Sequence, residues 1–229
     1  MASEQVVDVL VRRHVFDTDR PFADILDGVF GGISQPDIEL LFSKLAASTS
    51  YEEFSSLVAQ AQGSAGLMRF LQLDLDHALT LDPQAQDRAG RHLVRLIAGN
   101  PVTMGEMTRH VADAGSYAPV TILIEETREG GTRVAYDSVA SAIAPYHDAA
   151  AAEVAQRLDT EVLDLLRRVT GTTDPDPAEP PNPDSAQGSR SGRSGWVFHV
   201  GQGLAELPAR ADAELGEYLA QMPLDRTRA

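Results

Sequence analysis

Between residues 91 and 138, apolar and polar positions alternate along the chain with a period of two. Val120, Ile122 and Ile124 alternate with Thr121, Leu123 and Glu125, and Val134 and Tyr136 resume the pattern after a polar interruption. Such alternation, rich in β-branched residues, predicts strands. The interruption, Glu126-Thr127-Arg128-Glu129-Gly130-Gly131, supplies glycines able to take the positive φ of a hairpin turn. Upstream, Val94, Leu96 and Ala98 share one face of another strand, closed by Gly99-Asn100-Pro101. Pro101 suits the first turn of a short helix running through Met107.

The flanking pattern adds two more strands and several helices. Residues 6–17 are β-branched enough for a strand, placed at a sheet edge by Arg12, Arg13 and His14. Residues 67–81 alternate throughout: Leu71, Leu73, Leu75, Leu79 and Leu81 point one way, Gln72, Asp74, Asp76 and Thr80 the other. Helical spacing follows Pro21, with Phe22, Ile25, Leu26, Val29 and Phe30, and returns with Ile38, Leu41, Phe42 and Leu45. Ser50-Tyr51-Glu52-Glu53 is a capping box that opens a further helix. Residues 148–169 predict a long amphipathic helix, its buried stripe marked by Ala151, Val154, Ala155, Leu158, Val162, Leu165 and Val169, with Gly171 as its stop.

The pattern fails at residues 172–195, where Pro, Asp, Ser and Gly dominate. So few apolar side chains cannot offset the entropy of ordering the chain, and a disordered linker is expected. Residues 196–229 then form a tail with a short strand, WVFHV, and an amphipathic helix. The expected organisation is a domain over 1–171, containing a helical insertion at 34–62, then the linker and the tail.

Composition narrows the functional classes. A formal charge of −15 argues against a nucleic-acid partner, because releasing counterions from phosphates needs a concentrated basic face. No apolar run reaches the ~20 residues of a membrane span. The N-terminus has no basic, then apolar, leader pattern, so the cytoplasm is the expected compartment. The chain has no cysteine, which removes disulfides, thiolate nucleophiles and cysteine metal sites.

Gly99-Asn100-Pro101, Ala118-Pro119-Val120, the Glu125-Glu126, Gly130 and Tyr136-Asp137 hairpin, and the closing helix together resemble a bacterial family, domain of unknown function 302 (DUF302). The resemblance spans roughly residues 9–170. It implies an α+β fold like that of the TATA-binding protein, ordered β-α-β(4)-α, whose curved antiparallel sheet grips the long C-terminal helix. It implies no settled activity, and a fold does not fix a function.

Candidate chemistry is sparse. His77 shares the leucine face of 67–81, and His92 shares the parity of Val94 and Leu96, so both are pocket candidates. Arg69, also of leucine-face parity, is a candidate clamp for a carboxylate, and Tyr136 a candidate wall of a cavity. No HExxH motif, phosphate loop or G-x-S-x-G serine is present, so no metal site is indicated, and the sequence does not identify a cofactor. The expectation is a module that binds a small apolar ligand or another protein, most simply its own copy in a homodimer. The alternative is an enzyme using His77 and His92 as acid/base groups or metal ligands in an enclosed pocket.

Overall fold

Alternation gives each strand one side to bury and one to leave open, and burial on a single long helix organises the whole domain. A computed structural model describes residues 3–173. Its elements, in order, are β1 (Arg13–Thr18), α1 (Phe22–Gly32), α2 (Ile38–Ala47), α3 (Tyr51–Ala61), β2 (Met68–Asp74), α4 (Asp76–Leu81) and β3 (Leu93–Gly99). Then follow α5 (Pro101–Thr108), β4 (Val120–Glu126), β5 (Thr132–Asp137), α6 (Val139–Ile143) and α7 (Ala149–Thr170). The strands make one antiparallel sheet in the order β1-β5-β4-β3-β2, so β1 is an edge strand as its charges predict. The linker and tail expected from 172 onward lie outside the described residues from position 174.

The inner side of the sheet is filled. Leu96, Ile122, Ile124 and Val134 are fully buried against Leu158, Val162, Leu165 and Leu166 of α7 and Ile25 and Val29 of α1. Close packing brings α1 so near α7 that a side chain at Gly32 would sit 2.4 Å from the Leu165 methyl. Sheet, α1 and α7 thus meet through their own apolar side chains on this side. A second, smaller core joins Leu41, Leu45 and Val58 of α2 and α3 to Met68 of β2. Among the described residues no helix is long and apolar enough to cross a membrane.

Local signals worked as elementary chemistry requires. Ser50 caps α3 by accepting from the Glu53 amide, and Asp148 caps α7 by accepting from the Ala151 amide. Gly130 turns the β4–β5 hairpin at φ 84°, and Gly171 ends α7 at φ 74°.

Two expectations about strands need correction. The strand read over 6–17 begins only at Arg13, because its partner β5 ends at Asp137, where the chain turns into α6. The strand read over 67–81 stops at Asp74, since β3 offers no partner beyond Leu93, and residues 76–81 coil into α4. Leu75 and Leu79 are two alternations apart but also one helical turn apart, so the sequence pattern fits both structures. A register shift between Arg69 and Leu71 also exchanges faces within β2. Leu71 and Leu73 consequently point outward and are exposed, whereas Arg69, Gln72 and Asp74 share the inner parity of Ala98, Leu96 and Val94.

Candidate functional site

The functional geometry centres on a residue that the apolar stripe of α7 conceals. Asp159 follows Leu158 and is one turn from Ala155 and Val162, so the helix turns its carboxylate into the core, where it is 7% exposed. A buried carboxylate must find donors. Oδ1 accepts from the Tyr136 hydroxyl at 2.6 Å and the Val139 amide at 2.9 Å. Oδ2 accepts from the Ser138 hydroxyl at 2.5 Å and the Ala140 amide at 3.1 Å. One side chain thereby ties β5, the first turn of α6 and the middle of α7 together. Burial and the adjacent carboxylate both push the Tyr136 hydroxyl well above its ordinary pKa, so it stays a donor.

Above this network lies an open cleft of about 440 Å³, lined by Arg12, His14, Ser141, Gln156, Asp159 and Thr160 among others. His14 pairs with Tyr136 across the sheet edge, and their rings stack with centroids 6.3 Å apart. The imidazole is half-buried, and burial pushes its pKa below the ordinary 6.5; Asp159 opposes that shift, while Arg12 and Arg167 add to it. Arg12 is held by its backbone, which donates to the Ser141 hydroxyl at 2.9 Å and accepts from the Ser138 amide at 2.9 Å. Neither the Arg12 guanidinium nor the His14 imidazole has a hydrogen-bond or ion-pair partner among the described residues. Elsewhere arginines meet carboxylates: Arg13 with Asp137, Arg88 with Glu125, Arg133 with Asp17 and Arg157 with Glu106.

The family of the chain follows from its sequence as well. The model of the family described as "Domain of unknown function DUF302" matches residues 43–168, more than half of the chain. The chain belongs to the DUF302 family. The match runs from within α2 almost to the end of α7, a narrower span than the resemblance at 9–170. Tyr136, Ser138 and Asp159 thus fall within the DUF302 stretch, whereas Arg12 and His14 precede it. Among solved structures, the chain is similar to an uncharacterized conserved DUF302 protein from Bacillus stearothermophilus, at 12% identity and a TM-score of 0.45. That likeness covers 69% of this chain and 97% of the other. Comparison with curated proteins gives no match.

The residues singled out from sequence are dispersed across this DUF302 domain. Tyr136 is 1% exposed and spends its hydroxyl on Asp159. Arg69 lies on the inner parity of β2, its guanidinium 5.3 Å from the centre of the Phe30 ring and 3.0 Å from the Gln72 amide oxygen. His77 is exposed on α4, so its expected place on a leucine-lined strand is corrected by the helix that forms there. His92 stacks on Phe22 with centroids 5.0 Å apart, and its Nδ1 lies 3.0 Å from the Asp76 carboxylate. Both histidines are exposed, at the end of the sheet where β2 gives way to α4, rather than inside the grip. Among the described residues no three His, Cys, Asp or Glu side chains gather closely enough to hold a metal ion. The sequence signal that points to Asp159 is a carboxylate at a core-facing position of an otherwise apolar helical stripe.

Proposed function

We propose that this DUF302 protein is a binding module for a small anion-bearing ligand, a carboxylate or a phosphate, seated in the cleft over Asp159. One observation carries the reading: Arg12 and His14 line the same cleft with their cationic or donor groups unpaired. A guanidinium offers several N–H donors in a fixed fork suited to carboxylate and phosphate oxygens. On a chain of net charge −15, an arginine that lines a cleft without an ion-pair partner is an exception to the surrounding field. The four donors on Asp159 leave its oxygens no spare role as acceptors, so the carboxylate acts as a fixed floor that orients the wall around it. Gln156 and Thr160, one turn apart on α7, supply a polar side to the cleft. A ligand of this kind replaces the apolar one expected from sequence.

The order of strands and helices supports reading the fold as TATA-binding-protein-like, with α7 as the gripped helix. In that arrangement the cleft lies at the β1 edge, where sheet, α6 and α7 meet.

The test is a titration of the full chain with inorganic phosphate and, separately, acetate, followed by amide and imidazole nuclear magnetic resonance shifts. Shifts should concentrate at Arg12, His14 and Ser141, and Arg12→Gln should weaken binding at least about tenfold, the cost of one lost charge-assisted hydrogen bond. Shifts scattered over the surface, or binding indifferent to Arg12→Gln, would refute the reading. Comparison of the two anions distinguishes a phosphate ligand from a carboxylate.

A further inference from the structure

We infer that the open side of the sheet is the seat of a second copy of this chain. The inference is independent of the anion cleft, which lies on the opposite side of the sheet. A solvated side of an antiparallel sheet ordinarily carries polar residues. Here the pairing register draws one straight row across all the strands: Val15, Ala135, Leu123, Arg95 and Leu73. Beside it, Ile97 pairs with Leu71. Val15, Leu71 and Leu73 are 40%, 49% and 37% exposed, and Leu123 and Ala135 floor a depression of about 290 Å³. Arg95 is the one charged member of the row; with Ile97 beside it, every one of the five strands still adds an apolar side chain to this side, and such a patch marks an interaction surface.

Charge selects the occupant. The outward positions of the strands carry Arg13, Arg95 and Arg133 against Asp17, Glu125 and Asp137, so this side is balanced on a chain whose net charge is −15. A basic partner would be drawn to the acidic remainder of the molecule and gain nothing from a balanced apolar side. A second copy meets its own apolar band and its own mixture of signs, the self-complementary condition of a two-fold interface. Strand spacing and rise make the side about 20 Å by 20 Å, or about 400 Å² in projection. That is short of the roughly 800 Å² per partner of a standard interface, so a reversible, concentration-dependent dimer is expected. The two copies also repel through their net charge, and salt screens that repulsion.

Sedimentation equilibrium of the full chain at about 0.05 M and about 0.5 M salt tests this, since the Debye length falls about threefold between them. The expected result is a monomer–dimer equilibrium that tightens as salt rises. Leu123→Glu at the centre of the band, and Leu73→Glu at its exposed edge, should each weaken the dimer more than tenfold with unchanged circular dichroism. Leu73 is on an edge strand, so its variant keeps the test decisive if Leu123→Glu impairs folding. A chain that stays monomeric at high salt overturns the inference and leaves the band to a different partner. So does a dimer that loosens with salt, or one indifferent to the Leu73→Glu change.

Discussion

At the scale of single residues, Asp159 does the most structural work, and its burial sets the size of the effect. Four donors converge on its two oxygens, and two of them are backbone amides that no side chain can remove. Asp159→Ala would strand those donors in the core, and we expect a loss of about 3 kcal/mol, measurable by denaturant unfolding. Tyr136→Phe removes one donor and leaves the carboxylate otherwise served, so about 1 kcal/mol is expected. Equal losses in the two variants would contradict the account. His14 and Arg12 differ from Asp159 in kind: nothing in the described residues uses their polar groups, so their removal should affect ligand binding far more than stability.

At the scale of elements, most of the architecture was legible because local and global preferences agree. The hairpin at 126–131 needed glycine at a positive φ and has it at Gly130, and Ser50 caps α3 by accepting from the Glu53 amide. Glu53 returns its bond to the Thr49 amide at 2.9 Å, one residue earlier than the usual reciprocal pair. Ser50→Ala should cost α3 about 1 kcal/mol, read as a lower thermal midpoint. What misled lay at 67–81, where leucines spaced by two and by four satisfy a strand and a helix alike. Only the end of β3 decides between them, and a partner's length is not written in the strand it pairs with. The register shift after Arg69 is similarly non-local, and it moved Leu71 and Leu73 from the expected core to the open side. The candidate site was missed for a related reason. Asp159 was masked by the stripe around it, and Arg12 and His14 join it only through the pairing of β1 with β5.

At the scale of the whole molecule, the sheet separates two surfaces with different chemistry. Its inner side is closed by α7 and α1 except at the β1 edge, where the polar cleft opens. Its outer side is an apolar band with balanced charge. The histidines that prompted an acid/base reading from sequence lie outside both, at the α4 end of the sheet.

The central claim is that the cleft holds an anion against Arg12 and His14. Without ligand, burial and the neighbouring arginines hold the His14 pKa below its ordinary value, so the imidazole is neutral at neutral pH. An anion beside the ring favours its charged form, so binding must take up a proton and weaken as pH rises. The most direct measurement is the His14 imidazole titration, followed by nuclear magnetic resonance with and without saturating phosphate or acetate. A His14 pKa raised by the anion in the native chain, and raised less in Arg12→Gln, is the predicted result. A titration curve identical with and without both anions would contradict it.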